Sequence, residues 1–240
     1  NAAMAHQLNE FKAQIDRLVS DGMEQEEALY KVLKETIIAS QNIRFEGDGY
    51  SDEWKDEAAR RGLTNICHVP EAIMKFNDPQ SRSVLIGEKI FNENELNCRI
   101  EVELEKFTKK VQIESRVLGD LAINHIVPTA VIYQNRLLEN LRGLKEIFST
   151  EEYEEMTADR KDLVREIQRR ILSIKKAVHD MTEARKVANH LGSQVEKAFS
   201  YEEKVRPYLE EIREHIDSLE LEIDDEIWPL PKYRELLFTK

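Results

Sequence analysis

The sequence predicts an all-α fold: an antiparallel bundle of long amphipathic helices preceded by several short helices and loops. Three observations lead there. Glycine and proline number only 8 and 6 in 240 residues, well under their usual shares of about 7% and 5%. Charged residues make up 34% of the chain, enough to clothe long solvated helix faces. Apolar residues recur at spacings of three and four through long stretches, which is the period of one helix face. A chain of 28.1 kDa has room for one large domain or two small ones, and needs no covalent staple to bury a core.

The elements follow in order. Met4, Leu8, Phe11, Ile15 and Leu18 form one apolar stripe, and Asp21-Gly22 ends that helix because glycine relaxes a left-handed closing residue. A second helix is predicted over Met23–Gln41, with Ala28, Leu29, Val32, Leu33, Thr36 and Ile37 as its buried face. Ile43-Arg44-Phe45 reads as extended, and Gly47-Asp48-Gly49-Tyr50 as a turn. Ser51 is placed to cap a helix that carries Asp52 and Glu53 in its first turn and stops at Gly62. Pro70 opens a short helix over Glu71–Phe76, Asp78-Pro79 breaks the chain, and Ser83–Ile90 is helical again. Residues 1–92 therefore form a short-helix segment, and residues 93–240 a long-helix bundle.

In the bundle, Leu104, Phe107, Val111, Leu118 and Leu121 keep one stripe as far as Pro128. Val131, Leu138, Leu141 and Phe148 continue it. Pro128 lacks an N–H and crowds the preceding turn, so a kink or break is expected there. Ser149-Thr150-Glu151-Glu152 restarts a helix. Val164, Ile167, Ile171, Ile174, Val178 and Met181 give a coiled-coil-like seam, which Gly192 interrupts. Val205, Leu209, Ile212, Ile216, Leu219, Ile223 and Ile227 repeat its rhythm. Short turns between such helices favour antiparallel packing. Trp228-Pro229-Leu230-Pro231 cannot be helical, and the apolar Trp228, Tyr233, Leu236, Leu237 and Phe238 are expected to dock.

Chemistry is harder to find. A net charge of −12 argues against nucleic acid as a partner, since phosphates call for a basic face. No apolar run approaches the ~20 residues of a membrane span. Cys67 and Cys98 make no disulfide framework, which points to a reducing cytoplasm and to small buried thiols. Neither GxxxxGK[ST], GxGxxG nor GxSxG occurs, and Gly47-Asp48-Gly49 is better read as a plain turn than as a phosphate cradle. A ferritin-like di-iron site needs Glu three residues before His. Ahead of His125, His179, His190 and His215 stand Ala122, Lys176, Val187 and Ile212. His6 and His68 read as packing or surface residues, and His125, beside Asn124, as a buried polar group. Glu46, Asp48, Asp52 and Glu53 lack calcium-loop spacing and are better explained as caps. The acidic stretch Glu202–Glu226 reads as a solvated face. Tyr50 and Trp54 suit core packing better than partner anchoring. No catalytic, cofactor-binding or metal-ligating residue is nominated.

Several long strings nevertheless resemble one family. IRFEGDGYSDEWKDEAARRGL (43–63), ELNCRIEVELEKFTKKVQIE (95–114), IVPTAVIYQ (126–134) and the terminal VRPYLEEIREHIDSLELEIDDEIWPLPKYRELLF (205–238) resemble the C-terminal region of type III glutamine synthetases, as does the opening MAHQL helix. Echoes of ordinary glutamine synthetases appear at Gly49-Tyr50, Glu71-Ala72-Ile73 and Ile90–Leu96. The resemblance implies a cytoplasmic parent that joins ammonia to glutamate with ATP and Mg or Mn, through a γ-glutamyl phosphate, in a ring-shaped homo-oligomer. It implies that residues 1–92 correspond to the end of the catalytic domain and 93–240 to a C-terminal extension. In the family the metal ligands, nucleotide contacts and catalytic groups lie upstream, so none transfers to a position of this sequence. The chain alone is then expected to be inactive and to bind no ATP specifically. It would supply helical framework and contacts to the remaining catalytic domain and neighbouring subunits. The rival reading is an independent helical scaffold without enzymatic context.

Overall fold

The computed structural model describes residues 1–237, the side chains of Tyr233 and Arg234 excepted. Among the described residues every regular element is helical. The chain packs as two compact units, Asn1–Glu103 and Leu104–Lys240.

The first unit holds α1 (Ala2–Ser20), α2 (Gln25–Ala39), α3 (Asp52–Arg60), α4 (Val69–Met74), α5 (Pro79–Gly87) and the first turns of α6 (Glu93–Leu121). Its helix ends follow local chemistry. Gly22 and Gly62 take the left-handed φ of +96° and +73° that closes α1 and α3. The Ser51 hydroxyl accepts the Trp54 N–H at 3.2 Å, as its N-cap role demands. α2 is shorter than the sequence suggests: after Ala39 it tightens into a 3₁₀ turn, Ser40–Ile43, which takes in Ile43, and Arg44 is extended. Asp78 is extended and breaks the chain as expected, and Pro79 then starts α5 ahead of the expected Ser83, because proline fits the first helical position. α5 closes on Lys89, a non-glycine residue at φ +57°.

The apolar faces of this unit are only half covered. Ala28 and Val32 of α2 are buried, but Leu29, Leu33 and Ile37 are exposed, and on α1 Met4 and Leu8 are 66% and 58% exposed. α1 and α2 pack on each other with no broad third layer beneath them. The contact of α1 with α5 is partly polar: Glu88 accepts from Asn9 Nδ2 at 2.8 Å and lies 3.0 Å from His6 Nδ1. Arg82 ties the 3₁₀ turn Lys75–Asn77 to α6 by donating to Asn77 Oδ1 at 2.9 Å and Asn97 Oδ1 at 3.0 Å.

The second unit is built from the rest of α6, α7 (Val127–Ile147), α8 (Thr150–Asn189), α9 (Gln194–Ser200) and α10 (Arg206–Glu222). α8 is the axis, packing along α7 on one side and α10 on the other. Ile167, Ile171, Ile174, Ala177 and Met181 of α8 meet Ile212, Ile216 and Leu219 of α10 and Ala122, Ile126 and Ala130 in one core. The predicted seam is present, although Val164 and Val178 sit only at its edge. Ser149 and Glu152 make a full capping box at the start of α8, hydroxyl to N–H at 3.4 Å and N–H to carboxylate at 3.1 Å.

Pro128 produces no break. α6 passes into a π turn, Ala122–Ile126, and on into α7, with helical dihedrals at both joins. Widening one turn shifts the hydrogen-bond register just where proline offers no N–H, so the helix continues past it. The same device recurs at Tyr201–Val205, ahead of Pro207, joining α9 to α10. The seam from Val205 ends its helical course at Glu222, and Ile223 is extended, though still buried in the core.

The terminal segment is non-helical through Pro231, as expected, and Trp228 docks against the core. Leu236 and Leu237 do not; they are 69% and 81% exposed. Phe238 lies outside the described residues. Lys232 locks this return by donating to the carbonyls of Glu220 at 2.6 Å and Ile223 at 3.1 Å, neutralising the open end of α10 while pairing with Asp225.

Candidate functional site

The side chains that carried hints of chemistry in the sequence are dispersed. Cys67 and Cys98, expected as buried thiols, are both exposed. Cys98 lies on the open side of α6, whose inward positions are taken by Leu96 and Ile100. His125 is exposed rather than buried, because Ala122 and Ile126 occupy the inward side of the π turn. Tyr50 is 94% exposed, whereas Trp54 stacks on Phe45 with ring centroids 4.2 Å apart. The acids of the 46–53 loop act locally: Asp48 accepts the Tyr50 N–H at 2.9 Å, and Asp52 pairs with Lys55 at 2.6 Å. Among the described residues no three His, Cys, Asp or Glu side chains gather as a metal site.

Three polar constellations and one apolar one do form. Within α8 and α10, Glu166 accepts from Arg170 Nη2 at 2.7 Å and from Arg169 Nη2 at 2.5 Å, near Glu222 and His215. The hydrogen bonds from Arg169 hold the Glu166 carboxyl below its ordinary range. Burial pushes Glu222 above its own, helped by the nearby Glu166 charge and opposed by Arg170. Glu202, within the acidic stretch read as solvated, is buried and accepts from Arg206 Nη1 at 2.7 Å. The Tyr201 hydroxyl donates to Asn189 Oδ1 at 2.8 Å, which also accepts from Gln112 Nε2 at 3.2 Å, tying α6, α8 and the second π turn together. The periodicity that located the helices carries no signal for these pairs, since it tracks apolar faces only.

The fourth constellation is apolar. Ile73, Phe76, Phe91, Leu96, Arg99 and Ile100 line a groove of about 360 Å³ in the first unit. The Arg99 guanidinium lies 4.8 Å from the Phe91 ring centroid at its rim. With the uncovered stripes of α1 and α2, it makes the first unit a surface suited to contacts rather than a pocket for chemistry.

Such a framework of helices, rich in structural ion pairs and contact faces, matches a domain defined within a larger enzyme. Residues 28–145 match the glutamine synthetase C-terminal domain, and the whole chain is similar to part of the glutamine synthetases. It is 74% identical over all 240 residues to a glutamine synthetase of Bacteroides fragilis, covering 33% of that protein. It is 27% identical over 223 residues to a type-3 glutamine synthetase of Dictyostelium discoideum and 28% identical over 218 residues to a glutamine synthetase of Butyrivibrio fibrisolvens. These cover 89% and 91% of the chain, but 29% and 31% of the relatives. The chain thus spans about a third of the length of the curated relatives it matches.

Proposed function

We propose that this chain is the C-terminal helical part of an ATP-dependent glutamate–ammonia ligase, forming glutamine, ADP and phosphate, and that it supplies framework and subunit contacts rather than catalytic groups. The observation that carries this reading is the 74% identity along the full chain against a third of the Bacteroides protein. Residues 1–92 correspond to the end of the catalytic domain, and residues 93–240 to the extension. ATP and Mg or Mn are held by the parent polypeptide outside this chain. The parent works in the cytoplasm as a ring-shaped homo-oligomer; no helix among the described residues is long and apolar enough to cross a membrane. The exposed apolar faces of α1 and α2 support a contact role, because isolated soluble domains seldom leave such stripes open.

The test compares two preparations for ATP-dependent glutamine formation: the 240-residue chain, and the longer polypeptide encoded by its full reading frame. The longer polypeptide is expected to be active and the chain alone inactive. A reading frame with no nucleotide- and metal-binding region, or glutamine made by the chain alone, would overturn the proposal. Light scattering on both preparations measures the ring and the share of it that the chain assembles by itself.

A further inference from the structure

A recess in the first unit is lined by Gln41, Asn42, Arg44, Arg60 and Arg61, with a volume of about 550 Å³. Three guanidinium groups gathered here stand out in a chain of net charge −12. Their positions are fixed by neighbouring structure. Arg61 donates through Nη1 to the carbonyls of Arg44 at 2.8 Å and Asn42 at 3.3 Å, and through Nε to Glu57 at 2.5 Å. Its guanidinium also lies 5.6 Å from the centroid of Trp54, which stacks on Phe45. Arg44 is held by its Nη2 hydrogen bond to the Ile37 carbonyl at 3.1 Å. Arg60 is held by a two-point pair with Glu57, at 2.6 and 2.5 Å.

One carboxylate, Glu57, therefore serves two of the three arginines, and the two guanidiniums draw its carboxyl down to about 2. Arg44 meets only a carbonyl, so its charge is not neutralised by an acid in the recess. Each fork also keeps donors unused by these bonds: Nη1 of Arg60, Nη2 of Arg61 and Nη1 of Arg44. The amides of Gln41 and Asn42 add neutral donors.

The geometry points to an oxyanion-binding site in this recess, with a phosphoryl chain of two or more groups as its ligand. A carboxylate offers two oxygens in one plane, which a single arginine satisfies. Three forks, one from the extended exit of the 3₁₀ turn and two from the end of α3, instead suit the several oxygens of linked tetrahedral phosphates. The recess is several times larger than a single ion requires and lies at the lower end of ordinary ligand sites. Its lining contains no aromatic ring, so it reads phosphoryl groups rather than a base. The inference does not depend on the ligase reading.

Calorimetric titration of the 240-residue chain with pyrophosphate is the test, with ATP and hexaglutamate as parallel arms. Saturable pyrophosphate binding is expected, weakening as salt is raised. Arg44→Gln and Arg60→Gln should each weaken it by about tenfold or more, while Arg165→Gln, exposed on α8, should leave it within about twofold. Circular dichroism confirms that each variant is folded. ATP within about threefold of pyrophosphate identifies the phosphoryl chain as the recognised element. The proposal fails if pyrophosphate gives no saturable heat, or if the recess variants match Arg165→Gln. It fails equally if ATP binds about tenfold tighter or more, or if hexaglutamate saturates where pyrophosphate does not, which would assign the recess to a nucleotide or to an acidic protein segment.

Discussion

On α8, residues spaced by three and four from Ile167 to Met181 disappear into a shared core with α10. On α1 the same spacing leaves Met4 and Leu8 open and none of its residues buried. Both helices are amphipathic, and their sequences would be scored alike by periodicity. The difference lies in what faces them: α8 runs between α7 and α10 and is covered on both sides, whereas α1, among the described residues, packs chiefly on α2 and α5. An apolar stripe records which face a helix offers, and its burial depends on a partner that the stripe does not encode. In the second unit that partner lies within the unit. In the first, much of the stripe stays open among the described residues.

The sharpest way to break this contrast is to remove equal amounts of apolar side chain from each unit. Ile174 is fully buried, and Ile174→Ala should cost about 2–5 kcal/mol, with Ile171→Ala and Ile216→Ala in the same range. Leu33→Ala, at a position 42% exposed, should stay within about 0.5 kcal/mol in the isolated chain. The two tryptophans report the units separately, Trp54 the first and Trp228 the second, so denaturant titration of single-tryptophan variants measures both. A Leu33→Ala loss as large as that of Ile174→Ala would mean the α2 face is already buried in solution, and the contrast would collapse.

A smaller effect tests how the second unit closes its end. Lys232 supplies the hydrogen bonds that the final carbonyls of α10 lack, and its side chain is largely covered. Lys232→Met keeps the length but removes the donors, and should cost about 1–3 kcal/mol. The emission of Trp228, 5.9 Å from Lys232 Nζ, should shift to the red as the return loosens. Unchanged emission and stability would show that the apolar contact of Trp228 suffices alone.

The units also differ in how their carboxylates respond to pH. Glu57, in the first, has its pKa lowered to about 2 by hydrogen bonds from Arg60 and Arg61. Its contribution is complete above the unfolded value, near 4.5, and is lost as pH falls toward 2. Glu57 is solvent-accessible, so solvent screening keeps that contribution small. Glu222, in the second, has its pKa raised by burial. The folded state binds the extra proton there, so stability declines as pH rises from about 4.5 through the folded value. Carboxyl titration by NMR should place the Glu57 midpoint below, and the Glu222 midpoint above, that of an unperturbed glutamate. Glu222→Gln should flatten the second unit's pH dependence above 4.5, and an unaltered slope would assign it to another group.

Much of the fold was legible because helix punctuation is local chemistry. Ser51, Ser149 with Glu152, Gly22 and Gly62 all act where the sequence placed them. At Pro128 the break that was one of the two expected outcomes is absent, because a proline forbids one hydrogen bond without specifying the remedy, and a π turn restores the register. Cys98 and His125 were placed on the wrong side because inward direction depends on which neighbours fill the core, here Leu96, Ile100 and Ile126. The Arg44–Arg60–Arg61 recess was invisible for a related reason: its members lie on different elements, brought together only by the turn after α2. Leu236 and Leu237 were expected to dock on hydrophobicity alone, but it is Trp228, with Ile227 and Leu230 beside it, that found a place at the core.

The smallest effect concerns the end of α5. Gly87 is still helical, and the left-handed residue is Lys89 at φ +57°. That conformation crowds a Cβ against the backbone at about 1 kcal/mol for an ordinary side chain, which glycine avoids. Lys89→Gly relieves the crowding but gives the unfolded chain more freedom to lose, an opposing term of similar kind and smaller size. The turn is otherwise satisfied, with Ile90 and Phe91 both donating to the Leu85 carbonyl at 3.0 and 3.2 Å. Lys89→Gly should therefore stabilise the first unit by about 0.5 kcal/mol, seen as a small upward shift of the Trp54 transition with the Trp228 transition unmoved. A shift of both would mean that the two units unfold as one, so that the sparse core of the first draws on the dense core of the second.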